Sequence, residues 1–299
     1  MVMNKNIEDL LNKYNMPIWI NDYIQEYIKS DPINALKRGV SFIEVKRKRG
    51  VVTSSYVVLP NGIKFNMSTV IYILSLFYYG EKEIEQISES WSSIVDPVHP
   101  SYIKHFVNIS KLEKKHIRAI KNLMDGLTRR PEEPPESVKE VFNYIKNLST
   151  WQQRFVALYL ILRYSYSAVF GQIFYKVFYF VMPEFMRSFG KVYIDSNGDI
   201  KWGIEETKRI IKSKEISNED VIKLSEDLLS RISVSVKGEM HLAVDADIEK
   251  EANLMLKIAI AYPLHQLKDY GVKLDINEEE EIIKKKSEEI KSSIEKEEG

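Results

Sequence analysis

The residues best suited to chemistry in this chain are a glutamate and a histidine three positions apart, Glu113 and His116. Both fall on the apolar stripe of a predicted helix, where side chains point into a core. The two neighbouring seams of that stripe, at heptad spacing, are Phe106, Glu113, Ile120 and Leu127, and Ile109, His116 and Leu123. Burying an unpaired carboxylate costs several kcal/mol, so Glu113 must meet a proton, a cation, a hydrogen-bond donor or a metal ion.

A third candidate ligand, Glu81, lies at the edge of the apolar stripe of the preceding predicted helix, 69–91. The loop around Asp96 joins the two helices, and so short a connection predicts antiparallel neighbours. Glu81 precedes Asp96 by 15 positions and Glu113 follows it by 17, so we expect both carboxylates at one height, within about one helical turn. Carboxylate and imidazole ligands suit iron, manganese or zinc, with iron favoured in a bundle core.

The elements that must position these residues are mainly long helices, recognised by apolar residues at helical spacing. The predicted body helices are 69–91, 101–127, 151–182, one that begins with Asn218 as its N-cap, and 247–270, with a short helix around Val138–Ile145. Ser149 to Gln153 offers a capping box to the third of them. Pro263 should kink or break the last one.

The third predicted body helix is the most apolar part of the chain, since residues 155–182 are almost entirely aliphatic or aromatic. A membrane span is the rival interpretation of such a segment. Arg163, Lys176 and several tyrosines interrupt it, and cations inside a span are costly. We therefore expect a central helix buried on all sides.

Two segments change to strand patterns. Residues 41–67 are rich in β-branched residues and are broken by turn signals, which predicts a small β-meander. Residues 191–202 read as an inserted β-hairpin that turns at Asn197-Gly198. We divide the chain into N-terminal helices with a β-meander cap (1–67), a helical bundle (68–275) and a charged C-terminal helical tail (276–299), which we expect to be a solvated helix.

Composition excludes several classes of function. The chain has no cysteine, so thiolate catalysis, iron–sulfur clusters and cysteine-bound zinc are excluded. Its 43 basic and 43 acidic residues cancel, so we expect neither nucleic acid nor an anionic membrane as a partner. The basic run Lys46–Arg49 could contact phosphate, but we interpret it as a solvated hairpin tip. The first residues lack the apolar core of a signal peptide, so we expect a cytoplasmic protein, with a thermophile-like abundance of Lys, Glu and Ile.

The helix with an inward Glu81, the short turn and the following Leu112-Glu113-Lys-Lys-His116 helix resemble the first half of the ferritin-like superfamily. This superfamily holds ferritins, rubrerythrins, ribonucleotide reductase small subunits and di-iron monooxygenases. The resemblance implies a mainly α, antiparallel ferritin-like bundle, closest to the oxidase and monooxygenase branch. The second half departs from the family pattern, because residues 151–182 contain no Asp, Glu or His and Glu239 is followed at i+3 by Leu242.

Two functions follow from this resemblance. In the first, the protein is a metal-dependent oxidase-like or monooxygenase-like oxidoreductase with iron or manganese. Its metal ligands are then Glu81, Glu113 and His116, with Glu239 as a further candidate, and the third helix lines a pocket for a hydrophobic substrate. In the second, the bundle is metal-free and serves as a structural or partner-binding subunit in a homo- or hetero-oligomer. Glu113 would then pair with a buried arginine, either Arg154 or Arg163, or with a tyrosine hydroxyl.

Overall fold

The computed structural model describes residues 42–48, 51–58, 64–91, 100–126, 130–170, 200–240 and 246–297. Across these ranges the chain is mainly helical, as expected. The strands are β1 (Phe42–Lys48), β2 (Val51–Val58) and β3 (Lys64–Asn66). The helices are α1 (Met67–Trp91), α2 (Pro100–Gly126), α3 (Glu136–Lys146), α4 (Trp151–Val156), α5 (200–212), α6 (Asn218–Met240), α7 (Ala246–Asp269) and α8 (Ile276–Glu297).

The strands form one antiparallel sheet in the order β1-β2-β3. Phe42 pairs with Val58 at one end of the first ladder, and the register shifts between Lys46 and Arg47. Strand β3 leads directly into α1, and both β2 and β3 contact that helix. The helices predicted before residue 42 lie outside the described residues.

Helices α1 and α2 form an antiparallel pair. Trp91 stacks edge-on against Phe106, whereas His116 lies 3.3 Å from Glu81. Because contacts move back along α2 as they move forward along α1, the two helices run in opposite directions. This pairing places the middle of α1 against the middle of α2, as the short connection predicts.

Helix α4 starts at the predicted capping box, which is confirmed. The Thr150 hydroxyl accepts a hydrogen bond from the Gln153 amide, and the Gln153 side chain accepts one from the Thr150 amide. The helix then widens into a π-helix, Ala157–Phe170, in which hydrogen bonds skip one residue more than in an α-helix. All side chains from 155 to 163 are buried, so this part of the central helix is enclosed on every side, as predicted.

No described helix is both long enough and apolar enough to cross a membrane. The remainder of the predicted third body helix, residues 171–182, lies outside the described ranges.

The predicted hairpin is wrong over residues 200–202, which are helical and open α5. Its first strand and its turn, residues 191–199, lie outside the described part. Four positions of α5 at helical spacing are buried, Ile200, Gly203, Thr207 and Ile211. Burial of that face favours a helix over the alternation that a strand needs.

The start of α6 is also shifted from the prediction. The Ser217 hydroxyl accepts a hydrogen bond from the Asp220 amide, so Ser217 is the N-cap and Asn218 is the first helical residue. The predicted apolar stripe of this helix is confirmed, since Val221, Leu224 and Leu228 are all buried.

The last two helices differ from their predictions too. Helix α7 continues through Pro263, so the break is wrong and the kink stays a prediction. Helix α8 packs along α6, so the predicted solvated helix is wrong for Glu279, Ile283 and Ser287, which are buried. These three residues recur at every fourth position, so one face of α8 packs on α6.

Candidate metal centre

The structure brings Glu81, Glu113 and His116 together in the core between α1 and α2. One ligand atom from each residue can be chosen so that all three lie within 4.8 Å of one another. His116 Nδ1 lies 2.7 Å from Glu113 Oε2 and 3.3 Å from Glu81 Oε2. The predicted common height of the two carboxylates is therefore confirmed.

The site is buried more deeply on the α2 side than on the α1 side. Glu113 is 0% exposed and His116 is 2% exposed, whereas the side chain of Glu81 is 13% exposed. Ile84, Ile109 and Ile120 belong to the buried apolar residues of the same two helices. Of these three described side chains, Glu81 is the most exposed to solvent.

A buried arginine completes the cluster. Nη2 of Arg163, on the π-helix, lies 2.8 Å from Glu113 Oε1, and Arg163 is 2% exposed. Of the two arginines considered as partners for Glu113, the structure selects Arg163, because the Arg154 Nε donates to the Leu148 carbonyl. Two carboxyl groups thus face one guanidinium and one imidazole.

The two oxygens of Glu113 have different neighbours. Oε2 accepts a hydrogen bond from His116, whereas no hydrogen bond reaches Oε1 in the part of the chain that the structure describes. The guanidinium of Arg163 therefore compensates the negative charge at Oε1 of Glu113. Nε2 of His116 is likewise buried without a hydrogen-bond partner among the described residues.

The shared burial shifts the pKa of each group in this cluster. Burial lowers the pKa of His116, but hydrogen bonds to Glu113 and Glu81 outweigh it and raise the pKa to about 9. Burial and the neighbouring charge of Glu81 raise the pKa of Glu113. Burial also acts to raise the pKa of Glu81, yet its hydrogen bonds with Glu113 and His116 bring that pKa below the ordinary value. A proton bound to the cluster is therefore held by His116 or Glu113.

The dimensions of the cluster suit a single metal ion. Iron, manganese or zinc binds oxygen and nitrogen ligands at about 2.0–2.2 Å, so two ligands of one ion lie at most about 4.4 Å apart. The three candidate ligand atoms lie within 4.8 Å of one another, which exceeds that maximum separation by only a few tenths of an ångström. A metal ion would take the place of the protons, because Glu113 and His116 bind metal only when deprotonated.

An apolar pocket lies beside Glu81. Its wall is formed by residues of α1, α3, the π-helix and α6: Leu76, Phe77, Gly80, Val138, Val141, Phe142, Leu162, Ile232 and Ser235. Glu81 is the only ionisable group among the residues that line it. The third body helix was predicted to line such a pocket, and its described residue that does so is Leu162.

Glu239, the fourth predicted ligand, belongs to the last turn of α6, and its side chain lies outside the described part of the chain. Its role therefore stays a prediction. The sequence had offered Arg163 only as one alternative beside Arg154 and a tyrosine hydroxyl, and its signal was a cation within an apolar run. Comparison with protein-family models, with curated proteins and with solved structures finds no match for this chain.

Proposed function

We propose that the protein binds one divalent transition-metal ion, iron or manganese, through Glu81, Glu113 and His116. The observation that carries this proposal is the meeting of three ligand atoms within 4.8 Å in the buried interior between α1 and α2. Carboxylate oxygen together with imidazole nitrogen is a donor set that suits these metals. Three protein ligands leave coordination positions open for small molecules.

The surroundings extend this proposal to an oxidoreductase. A metal with open positions, when bound, supplies redox chemistry or dioxygen activation, which is the chemistry that the resemblance to the ferritin-like superfamily implies. The apolar pocket next to Glu81 has a volume of about 30 Å³, which is room for one or two water molecules or a diatomic gas, so a hydrophobic substrate would require it to widen. Glu81, as a proposed metal ligand that also lines this pocket, would connect the two.

Metal analysis tests the proposal directly. We expect purified protein to bind Mn²⁺ or Fe²⁺ and to lose this binding in Glu113→Gln and Glu81→Gln, because each change removes a charged ligand. Calorimetric titration and elemental analysis after gel filtration measure the bound metal. At a free metal concentration of about 100 times Kd, binding should also stabilise the fold by about 2.7 kcal/mol.

The matched control is Glu85→Gln. Glu85 lies one turn after Glu81 on α1, its side chain is 14% exposed, and it pairs with Lys114 of α2 at 3.2 Å. This variant loses an equally buried carboxylate near the same helix pair, so its metal binding should match the wild type. Equal binding by all four proteins would contradict the proposed ligands.

A second candidate is the metal-free structural or partner-binding subunit, and Arg163 is the observation that favours it. With His116 protonated, one guanidinium and one imidazolium already balance two carboxylates in the core. Such a network is balanced in charge without metal and fixes how the π-helix packs on α2. Protein that takes up no metal in the titration above, while remaining folded, would establish this candidate.

A further inference from the structure

Arg163 contacts the carboxylate oxygen of Glu113 that is not bonded to His116. Its Nη2 lies 2.8 Å from Oε1, whereas Oε2 is the oxygen turned toward His116. Both side chains are buried, so no solvent screens this pair. A carboxylate that joins two metal ions uses one oxygen for each of them, and here one oxygen already faces a cation.

We infer that Arg163 is the fixed second cation of the site and limits it to one metal ion, bound to Glu113 through Oε2. This inference rests on the proposed function, since it specifies how many ions that site holds and with which oxygen. The guanidinium neutralises Glu113 from the π-helix and repels any second divalent ion that approaches Oε1. The same position determines that Glu113 binds its metal through one oxygen.

The composition of the central helix supports this inference independently of the distances. From Trp151 to Phe170 the helix offers no Asp, Glu or His that could hold a second ion, and Arg163 is its one buried charge among the residues whose side chains are described. A second ion beside Oε1 would therefore add positive charge next to an arginine without adding a ligand. In a buried site such an excess of charge is strongly unfavourable.

The experiment counts metal ions and tests whether they lie side by side. Wild-type protein is titrated with Mn²⁺ to excess, and the equivalents lost in Glu113→Gln are taken as those of the site. Electron paramagnetic resonance then distinguishes an isolated Mn²⁺ ion from an exchange-coupled pair. We expect one equivalent in the wild type and an isolated-ion spectrum even at excess Mn²⁺.

Charge reversal at position 163 provides the second part of the test. The wild-type site with one Mn²⁺ ion contains two carboxylates and the guanidinium of Arg163. The Arg163→Glu site with two Mn²⁺ ions contains three carboxylates and has the same net charge. We therefore expect a second equivalent and an exchange-coupled spectrum. Arg163→Lys keeps the cation and should bind one equivalent. Arg154→Glu makes the same reversal away from the centre and should also bind one.

Each outcome bears on a different statement. A coupled pair in the wild type, or a single equivalent in Arg163→Glu, overturns the role of Arg163. No site-specific metal in the wild type refutes the proposed function itself. The wild-type spectrum and Arg163→Lys decide the question even where Arg163→Glu does not fold.

Discussion

At the scale of single residues, Glu113 is the group whose loss the structure can least tolerate. Its carboxylate faces Arg163 on one oxygen and His116 on the other, and all three side chains are buried. Glu113→Gln removes the anion and leaves a guanidinium without its countercharge. We expect the metal-free variant to lose about 3–5 kcal/mol of unfolding free energy, measured by urea denaturation at pH 7.

Glu85→Gln again serves as the control for that prediction. The Glu85 pair with Lys114 is half in water, because the Lys114 side chain is 51% exposed. Such a pair contributes about 1 kcal/mol or less. Equal destabilisation by the two variants would mean that the buried pair contributes no more than an exposed one.

The sequence predicts Glu113, His116 and Glu81 because helical spacing alone places them on one face and at one height. It could not choose between Arg154 and Arg163 as the partner of Glu113. The central helix changes from α to π winding at Ala157, so the angle between those two side chains differs from the α-helical value. That change has no local sequence signal and depends on packing from the neighbouring helices.

At the scale of elements, α5 approaches the π-helix closely at Gly203. A Cβ atom built there would overlap the Tyr159 ring, which is fixed by a 2.6 Å hydrogen bond between its hydroxyl and His105 Nε2. Because the ring is also buried and stacked on Phe155, it cannot move aside easily. We expect Gly203→Ala to destabilise the protein by about 1–3 kcal/mol in thermal or urea unfolding.

Gly80 of α1 gives the opposite expectation for the same substitution. The nearest atom to a Cβ at Gly80 is Phe142 Cζ at 3.8 Å, an ordinary van der Waals contact. Gly80→Ala should therefore stabilise the protein by about 0.5–1 kcal/mol through helix propensity. If both variants were neutral, the close approach of α5 to Tyr159 would be refuted.

Helical periodicity predicted the elements well where one face is apolar, as in α2 and α6. It gave a wrong result where a strong turn signal stood next to a helix, since Asn197-Gly198 suggested that residues 200–202 form a strand. It was also wrong for α8, whose charge pattern predicted a solvated helix although Glu279, Ile283 and Ser287 are buried. Their burial follows from contact with α6 and cannot be seen in α8 alone.

At the scale of the whole molecule, α8 belongs to the same core as the candidate metal centre. Ile283 joins the buried apolar cluster that also contains Ile84 of α1 and Phe155 of α4. The Ser287 hydroxyl donates to the Ile283 carbonyl, and Lys286 bridges Glu226 and Asp227 of α6 at 2.7 Å each. The helix is therefore fastened by charged groups along one side of a packed contact.

Glu279 makes that contact sensitive to pH. It is 8% exposed, and its Oε2 has no hydrogen-bond partner among the described residues. Burial, the hydrogen bond to Glu226 and the charges of Glu226 and Glu278 raise the pKa of Glu279 from 4.5 to about 7, against a lowering by Lys286. Between these two pH values the folded protein keeps a proton that the unfolded chain has released, so stability falls as pH rises.

We expect Glu279→Gln to remove this decline. The variant should match the wild type near pH 4.5 and be more stable by about 1–2 kcal/mol at pH 8, as measured by urea unfolding across the pH range. Glu278→Gln changes the neighbouring exposed residue and should leave most of the decline in place. If the unfolding free energies of the wild type and of Glu279→Gln changed in parallel between pH 5 and 8, the assignment of the decline to Glu279 would be contradicted.

The order of the buried charges along the chain has a consequence for synthesis. Glu81, Glu113 and His116 leave the ribosome well before Arg163, so α1 and α2 can pair while the guanidinium of Arg163 is still absent. Until the central helix arrives, protons or a captured metal ion must balance the two carboxylates. If the site binds metal as proposed, loading during translation and loading of the finished protein would start from different states of the same site.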